Sequence, residues 1–575
     1  MKEWIEQDVD QSSVAILLRG LGVSKIVAEL MAKRGFNDPL IADQFLSPKL
    51  KHLQDPFLIQ NMETAVNRIF VAREKKQQVL IVGDYDVDGI SSTVMTKQGL
   101  KSLDIYADTI IPQRITEGYG LTKKVLQRGL QGRDYSLVIA LDCGTNSVEE
   151  ARYLSEQGID LLVVDHHQLK SGDPHLATIV NPHLQEDHGQ PWRNLCTAGL
   201  CFKLIHALYK KARELDLPDA DQLTPRDFLP LCAIGTLADL VPLQGESRIF
   251  SHFGIKRLFL DASPGLRAIL KECGMNESME PETEDITYKL APRINACGRL
   301  NEPETAVALL LESDEKDCEK LAGRLTHLNE KRKGIEAELT ADALAQAEKY
   351  FADQPAVVVT GSGDGWHPGV VGIVAGKLAN SLNKPCLVLA KSEGDEYTGS
   401  GRGTPGLNLV EILSHCQDYL THWGGHPIAV GLGLKESKLE AFTKEFTECT
   451  NSLFSPTTER PTLQIDAVVD PQELNYKLLR EINSLGPFGQ NNPEPIIALK
   501  GIMLDTPPRK ISKGEHFQFS FHNGLDFIRG IAWRMGGNIP PCDQRIDLAF
   551  KLRKNNWNGR SSLQLVLEDW KVSSG

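Results

Sequence analysis

The chain has 575 residues, room for three to four domains at roughly 150 residues each. Its composition, 41% hydrophobic and 24% charged, excludes collagen-like, wholly disordered and disulfide-scaffold classes. The net charge of −13 argues against a nucleic-acid coat, but from Gly501 onward eleven Lys and Arg stand against seven Asp and Glu, so any polyanion is expected at the C-terminal end. No apolar run approaches the roughly 18 residues needed to cross a bilayer. The opening MKEWIEQDVDQSS lacks the basic-then-apolar order of a secretory signal, and the eleven cysteines include no CxxC pair. A reduced, cytoplasmic protein with no membrane partner is expected.

Residues 1–54 read as a helical lead-in, with apolar positions at helical spacing through VAILLRGLGVSKIVAELMAKRG. The next segment, 55–312, opens with continuous apolar runs at Val79–Val82, Leu137–Leu141, Leu161–Val164 and Ile179–Val180. Continuous rather than alternating hydrophobicity suits strands buried on both faces, hence a parallel sheet with helical crossovers. From about 198 to 285 the segment turns mostly helical. Residues 313–352 have helix-forming composition and predict a long connecting helix. A second α/β block, 353–455, starts at Ala356-Val357-Val358-Val359. Residues 461–575 change character. Phe517, Phe519 and Phe521 share one strand face before Asn523-Gly524, and Asn558-Gly559 precedes alternating Leu563, Leu565 and Leu567. Two such hairpin signals predict an antiparallel, barrel-like domain.

The chemistry gathers where the parallel strands end. LIVGDYDVDG delivers Asp84, Asp86 and Asp88, LVIALDCGTN delivers Asp142, and LLVVDHHQ delivers Asp165, His166 and His167. Ligands of open α/β sheets bind beyond the carboxyl ends of the strands, so three strand ends converge on one crevice. Five carboxylates there would repel one another without cations, and carboxylate with some imidazole suits Mn²⁺ or Mg²⁺ rather than a thiolate-bound metal. A calcium-hand reading of DYDVDG fails, because the position that needs Glu is Met95. Asp142, on the strand between the other two, is the expected bridge between two ions.

These segments also carry a resemblance. GDYDVDG, LDCGTNS, DHH and GTLADLVPL resemble the four motifs of the DHH phosphoesterase family. IPQRITEGYGL, APRINACGRL, DGWHPGVVGIVAGKL, GSGRG, GGHPIAVG and LGPFGQNNPEP extend the likeness over nearly the whole chain, to that family's bacterial single-strand exonucleases. The resemblance implies a DHH catalytic domain at 55–312, a DHH-associated substrate-binding domain at 353–455 and an oligonucleotide-binding (OB-like) domain at 461–575. It implies a 5′-to-3′ exonuclease on single-stranded DNA in recombination and repair, with a single-stranded-DNA-binding protein and a helicase as partners. Two Mn²⁺ or Mg²⁺ ions would be held by Asp86, Asp88, Asp142, His166 and Asp239. Asp84, Asp165 and His167 would stand beside them, with His167 on the scissile phosphate. Two cations about 3.5–4 Å apart can activate water and steady a leaving oxygen without a covalent nucleophile.

In GSGRG, Gly399, Gly401 and Gly403 allow close backbone approach and Arg402 can grip a phosphate with two donors. His367, at an expected helix start, and His426 in GGHP are further anion candidates, and Arg114, Arg293 and Arg299 are backbone-phosphate candidates. Phe517, Phe519 and Phe521 are expected in the barrel core, whereas Trp557, between Lys554 and Arg560, is the better surface for stacking bases. Two other readings stand beside the exonuclease: a DHH phosphodiesterase for short oligonucleotides or dinucleotides, and a catalytically silent replication scaffold. The C-terminal barrel argues against the first, since those relatives are shorter, and the full set of acids argues against the second.

Overall fold

In the computed structural model, which describes residues 2–170, 176–185, 189–363, 365–391, 394–453, 461–557 and 560–573, the continuous apolar runs are indeed strands of one parallel sheet. Its order is Ala107–Ile110, Gln78–Val82, Tyr135–Leu141, Asp160–Val164, Thr178–Val180, and every neighbouring pair runs parallel. The central strand is sealed on both faces, with Leu137 to Leu141 all 0% exposed. The edge strand Ala107–Ile110 has no continuous apolar run, since Asp108 and Thr109 occupy its middle and are only half-buried. The sheet belongs to a unit formed by Asp55–Asp239 and Phe253–Thr457.

Three helices of that unit matter for the crevice. Val87–Lys101 follows the first acidic strand end and packs against Thr197–Glu214 and Leu229–Ala238. Twelve of its fifteen residues are buried, which accounts for its lack of a polar face. The 37-residue helix Glu315–Phe351, capped by Asp314, touches the helices Pro264–Glu272 and Val371–Leu382 and so joins the two α/β blocks. At 1.5 Å per residue it is about 55 Å long. The second block is a mixed five-stranded sheet in the order Leu420–His426, Ala429–Lys435, Glu396–Arg402, Cys386–Lys391, Val357–Gly361, with only the last pair parallel.

The other unit comprises Met1–Gln54, Leu240–His252 and Thr458–Gly575. Its seven-stranded sheet is antiparallel except where Ala467–Val468 meets Ile497–Ile502 and where Phe527–Ala532 meets Arg560–Val572. Phe517, Phe519 and Phe521 are buried in its core together with Val14, Leu17, Leu30 and Met31 of the N-terminal helices. That N-terminal segment also contains a strand, Glu3–Glu6, paired in parallel with Thr462–Ile465. Four residues show no period, so a strand made only by a partner more than 450 positions away leaves no local signal. The first hairpin turns through four residues rather than two: the Asn523 side-chain oxygen accepts from the amides of Leu525 and Asp526 at 2.9 and 2.7 Å.

Candidate metal and phosphate site

The first acidic loop is shaped by glycine. A Cβ on Gly89 would lie 2.6 Å from the Asp84 carbonyl oxygen, so no larger residue fits. Asp86 caps the helix Val87–Lys101, accepting from the amides of Asp88 and Gly89 at 2.9 and 3.1 Å. Asn295, in the APRINACGRL segment, braces the same loop by accepting the Val87 amide at 3.1 Å. Asp84 is 1% exposed and neither carboxylate oxygen has a hydrogen-bond partner. Burial, then the charge of Asp86, holds its proton affinity well above the usual carboxylate range.

Asp88 is buried, and both its oxygens receive backbone amides, from Thr197 and Ala198, each at 2.8 Å. Asp142, at φ 64°, accepts the Thr197 hydroxyl on Oδ1 at 2.9 Å. Burial, then Asp88, Asp86 and Asp84, push its proton affinity far up. Asp239, just past the helix Leu229–Ala238, is pushed up to about 9 by burial and by Asp88 and Asp86. His166 Nε2 stands 3.5 Å from Asp142 Oδ1, 3.5 Å from Asp239 Oδ2 and 4.0 Å from Asp88 Oδ2. Burial lowers its proton affinity, which favours the neutral imidazole that a metal requires.

Asp165 is differently employed. It accepts from the amides of Thr145, His166 and His167 and from His167 Nδ1, the last at 2.7 Å. Burial works to raise its proton affinity, but these bonds, led by His167, bring it below the usual range. The same contact, against the cost of burial, raises His167 to about 9. His167 Nε2 meets the Tyr119 hydroxyl at 2.9 Å.

Three donor sets could each hold an ion: Asp84–Asp86–Asp142, Asp142–His166–His167 and Asp88–His166–Asp239, with ligand atoms within 4.8 Å of one another in each. Asp142 links the all-carboxylate set to a histidine-bearing one. Asp84 and Asp239 leave buried oxygens unpartnered, and the donors are hard oxygens with imidazole. The nearby Cys143 and Cys196 thiols are pushed up by burial, away from thiolate. The set fits Mn²⁺ or Mg²⁺.

Close by, the same unit gathers arginines. Arg299 is half-buried, donates to the Gly369 carbonyl at 3.1 Å and is lowered to about 10 by desolvation and then by Arg114, Arg332 and Arg402. Arg402 ends the strand Glu396–Arg402, and burial and Arg114 lower it too. Arg114 lies over the Tyr85 ring, 5.3 Å from its centre, between two of the acids in sequence. Among the described residues no ion pair joins Arg114, Arg299 or Arg402 to a carboxylate, so their mutual repulsion calls for an anion. A cavity of about 420 Å³ beside them is lined by Arg114, Gly369, Thr398, Ser400, His422 and Gly431. Ser400 lies on the Arg402 face, both close to Gly372. His426 is exposed and shares the cross-strand row of Ala429 and Arg402.

Two further candidates make local bonds: Arg293, which does not line the cavity, and His367, which adjoins the lining residues Pro368 and Gly369. Arg293 donates to the carbonyls of Lys289 and Glu272 and to the Thr326 hydroxyl, at 2.6, 3.2 and 3.3 Å. His367 Nδ1 accepts the Gly369 amide at 3.1 Å, the bond of a turn residue. The Trp557 backbone pairs with Arg560, but its side chain and the Asn558-Gly559 turn lie outside the described residues. Thr197, Asn295 and Tyr119 bond to site residues and Ser400 lines the cavity; the last three fall in the segments APRINACGRL, IPQRITEGYGL and GSGRG, which do not single them out.

A parallel sheet with acids and a His pair at its strand ends, followed by a smaller α/β domain, defines a DHH-type protein, and the family models agree. The DHH family N-terminal domain matches residues 78–236, the DHHA1 domain 353–452 and the RecJ OB domain 465–569. The single-stranded-DNA-specific exonuclease RecJ of Bacillus subtilis is 34% identical over 99% of this chain and 71% of its own length. That of Escherichia coli is 29% identical over 95% of this chain and 96% of its own. A crystal structure of RecJ in complex with Mn²⁺ from Thermus thermophilus superposes with a TM-score of 0.83 at 27% identity, covering 100% of this chain and 80% of that one. The corresponding Mg²⁺ complex gives 0.78 at 25% identity, covering 100% and 79%. The chain belongs to the RecJ family.

Proposed function

We propose that this chain is a metal-dependent exonuclease that degrades single-stranded DNA from the 5′ end, hydrolysing phosphodiester bonds with two Mn²⁺ or Mg²⁺ ions in recombination and repair. One observation carries the reading: acids from three strand ends and one helix end, with unpartnered buried oxygens, face one crevice beside three arginines that lack carboxylate partners. The relatives named above are single-stranded-DNA-specific exonucleases, and solved members hold Mn²⁺ or Mg²⁺.

Asp86, Asp88, Asp142, His166 and Asp239 would hold the ions, with Asp142 shared and Asp84 adding oxygens to the Asp86 side. When bound, the ions supply a nucleophile at neutral pH and neutralise charge on the scissile phosphate. Asp165 fixes the His167 ring through Nδ1, so that Nε2, protonated at neutral pH, can donate to a phosphate oxygen. Arg114, Arg299 and Arg402 bind backbone or terminal phosphate, and His426 adds a donor at the strand end. The OB domain grips the strand further along, with Trp557 as a stacking surface. No helix among the described residues is long and apolar enough to cross a membrane, and a cytoplasmic site of action, with a single-stranded-DNA-binding protein and a helicase as partners, completes the proposal.

Digestion of single strands labelled at the 5′ or the 3′ end, with Mn²⁺ and with excess chelator, tests it. Label loss from the 5′ end first, and only with the cation, is expected. Undiminished cleavage in chelator, or release from the 3′ end first, overturns it.

A further inference from the structure

We propose that Thr197 is a positioning residue for the metal site, one that holds the shared carboxylate Asp142 in place before any cation arrives; this rests on the reading that Asp142 helps to hold divalent cations. The first turn of the helix Thr197–Glu214 is entirely buried at Thr197, Ala198 and Gly199, and it delivers three donors to two acids. The amides of Thr197 and Ala198 each take one oxygen of Asp88 at 2.8 Å, and the Thr197 hydroxyl takes Oδ1 of Asp142 at 2.9 Å. A helix N-terminus favours negative charge, so this turn offsets part of the repulsion between two acids that the fold forces together. Space for the arrangement is kept by Gly235, where a Cβ would fall 2.9 Å from Asp88 Oδ1 and 2.5 Å from the Ala198 Cβ.

The two acids are anchored by different chemistry. Asp88 is held by backbone amides, which survive any side-chain change at 197. Asp142 is held by the hydroxyl alone, its one hydrogen-bond donor to the side chain among the described residues. Its Oδ1 is also the oxygen 3.5 Å from His166 Nε2, so the hydroxyl keeps that oxygen on the His166 side. Removing the hydroxyl therefore frees Asp142 while leaving Asp88 and the helix cap intact. Partners that orient metal ligands typically change metal affinity by about 10–100-fold when lost.

The test measures Mn²⁺ binding by calorimetry, and melting in excess chelator, for the full chain, Thr197→Val, Thr197→Ser and the control Asp142→Asn. The expected result is binding about 10–100-fold weaker for Thr197→Val, melting in chelator like the parent, and recovery to near-parent affinity for Thr197→Ser. Parent-like binding by Thr197→Val overturns the proposal, as does equal weakening in Thr197→Ser, which keeps the hydroxyl. If the Val variant does not fold, Thr197→Ala replaces it, and an Ala variant that binds as tightly as the Ser variant overturns the proposal. Asp142→Asn binding like the parent would instead remove the metal reading itself, which separates the two failures.

Discussion

Replacing Asp142 with asparagine should leave the metal-free protein as stable as the parent, or more so, while abolishing its response to Mn²⁺. Asparagine suits the site because Asp142 sits at φ 64°, a left-handed conformation that asparagine adopts readily and alanine does not. Its amide oxygen can still accept the Thr197 hydroxyl. Without cations the Asp142 carboxylate is 2% exposed among Asp84, Asp86, Asp88 and Asp239, all of which oppose its ionisation. Asparagine replaces an acid whose ionisation the site already opposes and cannot ionise itself, so the melting temperature in chelator should hold or rise. A cation at a hundred times its Kd stabilises the folded state by about 2.7 kcal/mol. The unit that carries the site has about 390 residues, so each kcal/mol moves the midpoint by about 1.2 °C, and the parent should gain about 3 °C with Mn²⁺ and the variant none. Differential scanning calorimetry with and without the cation reads both effects, and a digestion assay should show turnover down by several orders of magnitude. A variant that gains the parent's Mn²⁺ shift, or that turns over within an order of magnitude of the parent, refutes the shared-carboxylate argument.

Arg402→Ala should lose about 1.5–3 kcal/mol of transition-state binding, roughly 10–150-fold in kcat/KM, with calorimetric Mn²⁺ affinity unchanged. In chelator, the stability that His167 contributes should be fully present below about pH 6.5 and be lost as pH rises through about 9, because its folded-state value is raised from 6.5 to about 9. Thermal melts of the parent and His167→Asn across that range should therefore converge at the alkaline end, and a gap that persists would contradict the assigned ion pair. Trp557→Ala should weaken binding of strands of about 30 nucleotides by about 1–3 kcal/mol, read by fluorescence anisotropy, while pentanucleotide cleavage stays unchanged. Equal losses on both lengths would place the side chain in support of the fold.

The parallel sheet and its acids were legible because both signals are local. A run such as Leu137 to Leu141 records burial on two faces, and an acid after it records a strand end. Phe517, Phe519 and Phe521 alternate within seven residues, so their shared burial could be read from spacing alone. The features that escaped depend on distant partners. Glu3–Glu6 is a strand only because Thr462–Ile465 lies beside it. Arg293 and Arg299 look equivalent in one motif six residues apart, yet one donates to carbonyls on its own side and the other reaches Gly369. Thr197 sits 55 residues from Asp142 and 109 from Asp88, too far for any spacing rule.

The division of labour among the acids follows from which of them the fold satisfies. Asp165 receives four donors and is held ionised without a cation, whereas Asp88, with two amides, is still pushed up by burial. Asp84 and Asp239 keep buried oxygens with no donor, and both are driven toward protonation by burial and by their acidic neighbours. Unmet oxygens of this kind cost the folded state stability, and a divalent cation is the partner that relieves the cost at more than one of them together. The site therefore trades stability in the metal-free state for affinity toward the ion. The donors that remain, on Thr197, Thr145 and the amides after Asp165, hold the geometry that the ion would otherwise have to impose.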